Sequence, residues 1–529
     1  MLFNKQNIFS VALLSLFTLS QSNLKANTSH YTLSYRDDPA TTITVGWSGD
    51  DGIVYYGTTD YGTNYNSYQL NHSTDRILTH KGQNRKFSRL TGLSPNTLYY
   101  FVIHDVNGNT SQRFKFHTLS DNPNDPISFI SGGDSRDGFS LLGIYIEDCP
   151  SGDCRERRKD GNTIVSKIRP DFIAFNGDFV QNQITSDIFQ EWNNWLEDWQ
   201  LTISSDGKMY PLVLTQGNHE DNSDMYNLFD IPQDEYYSLN IHNGLFRLYS
   251  LSSEVGACDN TQLNWLTNDL QNYTNTPLEP YWKIAQHHNP TYAMALYGLN
   301  QDQMDCWTDK FETYGIDLVL ESHSHTTKWS WPCISNANND AFEVDQINGI
   351  VYLGEGQWGA PHRSLDYTGT DQKSWIRDQA VFDNFFFIRA SKDTIQIENV
   401  SFENISSIAT INDDILGSFL PNGTTTWNPS NGNTIYITQQ NVGINNTTNS
   451  ISNIYPNPSK STVQLDFSKI MINNTLEVYN SLGKLCMKEE INNVSSHELN
   501  IESLCNGVNY ILIKDINGNI ESHKIIKTK

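Results

Sequence analysis

Five short apolar runs in this chain each end abruptly in side chains that bind cations. ISFIS leads into Gly-Gly-Asp134, DFIAF into Asn-Gly-Asp178, and PLVLT into Gln-Gly-Asn218-His219-Glu220. WKIAQ leads into His287-His288-Asn289-Pro290, and IDLVLES into His323-Ser324-His325. Continuous apolar runs of this length read as buried strands. In open α/β sheets, ligands bind beyond the carboxyl ends of the strands. The chain is thereby constrained to a sheet whose carboxyl edge gathers Asp, Asn and His. Each motif alone is weak: Asp after Gly is a common turn, and a lone His is more often structural. His-x-His on an extended segment is more specific, because both side chains point the same way along a strand. The ordered set carries the reading. Oxygen and nitrogen donors without thiolate suit Zn, Fe or Mn.

The length of 529 residues suggests about three domains. Hydrophobic residues make up 37%, enough for real cores. A formal net charge of −25 disfavours nucleic-acid binding, which needs a basic face, and fits a soluble extracellular surface. The N-terminus has a short basic region at Lys5 and an apolar run from Ile8 to Leu19, too short to span a bilayer. Small or polar residues follow, with Ala26 as a cleavage position, so residues 1–26 read as a signal peptide. No later segment is long and apolar enough for a transmembrane helix. Export permits disulfides. Of seven cysteines, Cys149 and Cys154 are close enough to close a small loop; the odd count leaves a free thiol or an intermolecular bond.

Residues 27–122 read as an all-β sandwich: ITVGW, IVYYG, LYYFVI and RFKFHT alternate with Gly, Asn and Asp turns. DNPNDP, Asp121 to Pro126, reads as a connector. Residues 127–405 alternate strand and helix patterns, an α/β domain. There SDIFQEWNNWLEDWQ puts Ile188, Trp192, Trp195 and Trp199 on one helix face, a core-packing stripe. Residues 406–450, rich in Asn and Thr, read as a linker, and 451–529 as a second small β-sandwich.

The ordered strand ends resemble the calcineurin-like metallophosphoesterases. The preceding β-sandwich, with its LTGLSPNTLYYFVI strand, makes the chain look most like the purple acid phosphatase branch, and the sandwich itself resembles fibronectin type III. The resemblance covers roughly Tyr31 to Val400. It implies mixed sheets flanked by helices and two metal ions bridged by one aspartate. Asp134, Asp178 and His325 would hold the first metal; Asp178, Asn218, His288 and His323 the second. His288 is preferred to His287 because the family ligand sits two residues before a proline, here Pro290, and the choice stays open. His219 would be the acid that protonates the leaving group or hydrogen-bonds the transition state. The implied activity is hydrolysis of phosphate esters by attack of metal-bound hydroxide.

Two positions depart from that pattern. Asp-x-His is replaced by Asp134-Ser135-Arg136, and the tyrosine expected three residues after the bridging aspartate is Gln181. The first metal thus lacks its usual fourth protein ligand by either route. Arg136 has a scaffold reading, pairing with Asp137 or Glu220, and a functional one, binding a phosphate or sulfate oxygen through paired donors. The functional reading is placed ahead. GEGQWGAPHR, Gly354 to Arg363, is either a pocket wall with His362 or Arg363 near substrate, or a structural loop.

The tail from IYPNP, with Pro456-Asn457-Pro458, LEVYNSLGK and Gly507-Val-Asn-Tyr510, resembles the C-terminal sorting domain of the type IX secretion system of Bacteroidetes. That implies secretion or cell-surface display, with the type IX machinery as a partner. The resulting expectation is a secreted dinuclear-metal phosphoesterase acting on a small-molecule or glycan-linked phosphate ester. Its alternatives are a non-catalytic cell-surface or glycan-binding protein on the same scaffold, or a hydrolase of sulfate esters or phosphodiesters.

Overall fold

The computed structural model describes residues 27–529 except 142–143, 148, 150–152, 183–186, 337–340, 413, 440–450, 472–473, 481–483 and 515–519. Residues 1–26, expected as a signal peptide, lie outside the described residues. The chain divides into two compact units, Met1–Thr438 and Gln439–Lys529.

The apolar runs of the first unit become the parallel centres of two sheets. In a ten-stranded sheet, Ile127–Gly132, Phe172–Phe175 and Leu212–Leu214 lie parallel and side by side. In a seven-stranded sheet, Phe246–Ser250, Trp282–Gln286, Leu318–Leu320 and Val351–Gly354 do the same. Every residue of these strands is buried, which is why the runs show no polar alternation. One apolar core spans both sheets, and the rings of Phe129 and Phe246 meet at 5.7 Å between centroids.

Helices cover the outer faces. Ile188–Trp199 is capped by the Asp187 carboxylate, which accepts from the backbone N–H groups of Phe189 and Gln190. Its Trp192, Trp195 and Trp199 are buried, with Trp195 and Trp199 stacked at 4.9 Å. The indole N–H of Trp195 donates to Ser135 Oγ at 2.8 Å, so this packing face also holds the loop that carries Asp134 and Arg136. The Cys149–Cys154 disulfide is present, a second joins Cys258 to Cys306, and Cys333, Cys486 and Cys505 are free thiols.

The N-terminal sandwich is not a separate bead. Its strands Thr28–Ser34, Ile43–Gly49, Gln83–Leu90 and Arg76–His80 extend the ten-stranded sheet, entering it where Ser34 pairs with Leu212. Its other layer is the four-stranded sheet of Leu70–Ser73, Gly52–Gly57, Leu98–Asp105 and Phe114–His117. Tyr31 and Phe114, 4.5 Å apart, pack one layer on the other.

The stretch 406–450, expected as a linker, is built into the first unit as far as Thr438. Thr434–Thr438 pairs antiparallel with Thr394–Ser401 and closes the edge of the ten-stranded sheet. Asp414 enters a cluster of buried cations: Lys115 Nζ at 2.5 Å, Arg169 Nη2 at 2.7 Å and Lys208 Nζ at 3.6 Å. Asp206 shares Lys115 and Arg169, at 2.8 and 2.9 Å. The second unit is itself two-layered. One sheet is Ile451–Tyr455, Thr462–Met471 and Val494–Asn500; the other is Leu485–Ile491, Asn474–Asn480, Gly507–Lys514 and Ile520–Lys527. Val463, Leu465, Leu476, Val478, Leu499 and Ile511 fill the space between.

A chain ending at Thr438 is therefore expected to keep the thermal unfolding transition of the first unit. One ending at Ser406 strips Asp414 from three buried cations. It should lose on the order of 3 kcal/mol, the cost of unpairing a buried charge. Melting curves of the two truncations, with Asp414→Asn in the full chain as a third arm, check this.

Candidate metal centre

The strand ends converge as the apolar runs require. Asp134 follows the Ile127–Gly132 strand, Asp178 follows Phe172–Phe175, and Asn218 follows Leu212–Leu214. His288 follows Trp282–Gln286, and His323 and His325 follow Leu318–Leu320. Four of these six side chains sit on left-handed backbone: Asp134 (φ 56°), Asp178 (φ 55°), His323 (φ 79°) and His325 (φ 53°). Such conformations disfavour residues with a Cβ, and their clustering marks a site held in place by its surroundings. His323 and His325 thus lie on a turn, not on the extended segment expected for His-x-His, and they serve different clusters.

Two glycines make the close approach possible. A Cβ on Gly217 would stand 2.3 Å from Asp178 Oδ1, and one on Gly356 would stand 1.6 Å from Asp134 Oδ2. The second places the GEGQWGAPHR segment against the centre. Within it, Pro361 O accepts from His325 Nδ1 at 2.6 Å, and the Ala360 N–H donates to Asp134 O at 3.1 Å. Arg363 Nη1 donates to His323 O at 2.7 Å, whereas His362 turns to Asp383 at 3.1 Å.

Two clusters of candidate ligand atoms share Asp178. One is Asp178, His288 and His323; the other is Asp134, Asp178 and His325; within each, the atoms lie within 4.8 Å of one another. The amide oxygen of Asn218, an exposed residue, reaches His288 Nε2 at 3.0 Å and completes the first. His288 Nε2 is also 3.2 Å from Asp178 Oδ1 and from His323 Nδ1. His325 Nε2 is 3.2 Å from Asp134 Oδ1. The Nδ1 atoms of His288 and His325 face the carbonyls of Asn176 and Pro361, at 2.7 and 2.6 Å. A carbonyl only accepts, so each Nδ1 carries a proton, and each ring, once it gives up any proton on Nε2, turns that atom's lone pair inward. Lone pairs and carboxylates then face each other across a buried space. That donor set fits a pair of cations. His287, by contrast, faces the Asn289 carbonyl at 2.8 Å and packs on Trp307, outside both clusters.

The electrostatics show the same strain. Burial pushes the Asp134 carboxyl up to about 7. Burial also acts on Asp178, but the charges of His288, His219 and Arg136 outweigh it and hold this carboxyl below the ordinary range. Burial works against a charged His288, yet the Asp178 and Asp134 charges raise it. His323 is driven well below its ordinary value by burial and then by His288.

The two departures from the expected ligand pattern meet in space. Arg136 Nη1 donates to Gln181 Oε1 and, at 3.2 Å, to Asp137 O. Its Nε lies 3.6 Å from Asp178 Oδ2, and the residue is 1% exposed. His219 turns Nδ1 to the Gln181 carbonyl and Nε2 toward Asp178 Oδ2 at 3.7 Å. Sequence reasoning assigned Glu220 no role beyond a pairing partner for Arg136. Its buried carboxylate accepts from the backbone N–H groups of Gly217, Asp178 and Phe179 at 2.9, 2.9 and 2.8 Å, tying the Asp178 loop to the Asn218 loop. The only signal available was its place in the Gly-Asn-His-Glu run.

Three stretches of the chain match known protein families. Residues 151–327 match the calcineurin-like phosphoesterase model. The chain carries a calcineurin-like phosphoesterase domain. Before it, residues 28–118 match the purple acid phosphatase N-terminal domain; after it, residues 453–528 match a secretion system C-terminal sorting domain. The chain is 27% identical to acid phosphatase type 7 of Homo sapiens over 52% of this chain and 64% of that protein. It is 24% identical to purple acid phosphatase 15 of Arabidopsis thaliana, over 52% of this chain and 56% of that protein. It thus spans under two thirds of these relatives. In fold, it is similar to a purple acid phosphatase from yellow lupin (Lupinus luteus) seeds, with TM-score 0.57 and 14% identity over 78% of this chain and 74% of that one. It is also similar to PhoD, with TM-score 0.55 and 10% identity over 79% and 91%. A calcineurin-like phosphoesterase domain implies a dinuclear metal site, and the two clusters around Asp178 are the candidate ligand groups.

Metal analysis of loaded protein should find about two equivalents per chain. Asp134→Asn, which touches one cluster, should retain about one, and Asp178→Asn, which touches both, less than one. Equal retention by the two variants would contradict a shared Asp178.

Proposed function

We propose that the protein is a secreted dinuclear-metal phosphoesterase. The observation that carries this reading is the pair of ligand clusters sharing one buried aspartate. Asp134, Asp178 and His325 would hold the first metal, and Asp178, Asn218, His288 and His323 the second. When bound, two such cations supply Lewis-acid activation of water and of a phosphoryl oxygen. The carbonyls of Asn176 and Pro361 fix the tautomers of His288 and His325 in advance, so the rings need no reorganisation. Asn218 and His323 are the ligand side chains with solvent access, so the substrate approaches from their side. His219 would donate from Nε2 to the leaving oxygen while the Gln181 carbonyl orients its ring through Nδ1. The sorting-domain match, with residues 1–26 read as a signal peptide, supports Sec export followed by type IX secretion to the medium or cell surface.

Arg136 enters as a positioning residue. Its burial, its hold on Gln181 and its approach to Asp178 favour action through that carboxylate over direct contact with the substrate anion. Arg136→Ala should lower kcat about 10- to 100-fold, the scale of a charged hydrogen bond, and reduce metal retention, with little change in KM. Arg136→Lys should recover part of the loss. A rise confined to KM with full metal content would restore anion binding as its role.

Turnover of a phosphomonoester, a phosphodiester and a sulfate ester by the metal-loaded chain tests the whole reading. At least one phosphate ester should be hydrolysed, with activity lost to a chelator and regained with Zn, Fe or Mn. A fully loaded protein that turns over none of the three is a non-catalytic scaffold.

A further inference from the structure

Where the metal centre opens to solvent, the chain presents an apolar surface that core packing does not explain. The hairpin Tyr292–Leu299 exposes three large apolar side chains in four residues: Leu296 at 64%, Tyr297 at 55% and Leu299 at 37%. This segment is firmly built. Ala293 N donates to Gly298 O at 2.8 Å, and Asn300 N to Thr291 O at 2.9 Å. Met294 N donates to the Glu355 carboxylate at 2.9 Å, and Leu296 N to Asp366 Oδ2 at 2.7 Å. Leu296 itself is held at φ 67°. A hairpin anchored through Met294 and Leu296, its first arm buried and Leu296, Tyr297 and Leu299 exposed, marks a contact surface for something else.

Its position names that contact. The Tyr297 ring lies on the ring of His323, with centroids 4.5 Å apart and planes 34° apart. His323 is the half-buried member of a ligand cluster whose carboxylate, Asp178, and other imidazole, His288, are buried. Arg363 flanks the same ring: its guanidinium carbon is 5.7 Å from the Tyr297 centroid, and its Nη1 bonds the His323 carbonyl. A phosphoryl group at the clusters would place the remainder of the ester over this ring.

The geometry points to Tyr297 as a specificity residue, the platform on which a planar, apolar leaving group of the ester stacks. This rests on the phosphoesterase reading of the centre and narrows its substrates to esters of aryl or similarly flat alcohols. An aromatic face binds a flat ring through offset stacking and apolar burial, and gives a small polyol no such gain. Tyr297 touches the part of the substrate that leaves, and takes no part in proton or metal chemistry.

The test separates binding from turnover. Phenylphosphonate and methylphosphonate, which are not cleaved, are titrated calorimetrically into the metal-loaded full chain. Phenylphosphonate should bind about tenfold tighter than methylphosphonate. Tyr297→Ala should bring the two within about twofold while leaving methylphosphonate unchanged, and Tyr297→Phe should keep the preference. Equal binding of the two probes by the native protein, or an equal loss of both in Tyr297→Ala, overturns the platform. Alongside, KM for 4-nitrophenyl phosphate should rise about tenfold in Tyr297→Ala, with KM for glycerol phosphate unchanged. If the phosphonate preference is present but no ester is hydrolysed, the platform stands and the phosphoesterase reading falls.

Discussion

One buried carboxylate organises the centre of this molecule. Asp178 follows a strand with no exposed residue, on left-handed backbone, and belongs to both clusters of candidate ligands. A carboxylate in that position is costly unless cations surround it. His288, His219 and Arg136 are the nearby charges that hold it ionised. The rest of the site follows from keeping Asp178 in place. Glu220 clamps its backbone, Gly217 leaves room for its Oδ1, and the Arg136–Gln181 pair fixes the side away from His288.

The scaffold converts this local demand into a whole fold. Two parallel sheet centres, buried on both faces, bring the strand ends to one edge. The N-terminal sandwich continues one of those sheets through Ser34 and Leu212, so it braces the strand that leads to Asn218. The edge strand Thr434–Thr438 pairs at the other end of the same sheet, and Asp414 holds Arg169, just before its Phe172–Phe175 strand. The sorting unit has its own core, and none of its described residues belongs to either cluster.

Much of this was legible in the residues. Apolar runs that stop at Asp, Asn or His announced both the strands and the ligands, because burial on two faces forbids alternation and strand ends are where polar groups reappear. The tryptophan spacing announced the helix Ile188–Trp199 for the same reason of period. What was hidden shares a different cause. The tautomers of His288 and His325 are set by backbone carbonyls of Asn176 and Pro361, and a carbonyl has no residue-type signature. The turn at His323 and His325 depends on φ, which two histidines do not declare. Arg136 and Gln181 are 45 positions apart, so their bond is a fact of the fold. The Asn- and Thr-rich stretch looked loose because composition weighs side chains, whereas Thr434–Thr438 is held by a ladder of backbone bonds.

The central claim is that Asp178 lies between two metal ions. Anomalous diffraction from crystals of the loaded protein, collected across the absorption edges of Mn, Fe and Zn, tests it most directly. The account predicts two anomalous peaks about 3.5–4 Å apart. Asp178 should stand between them, Asp134 and His325 beside one peak, and Asn218, His288 and His323 beside the other. A single peak, or two peaks that do not both contact Asp178, would contradict it.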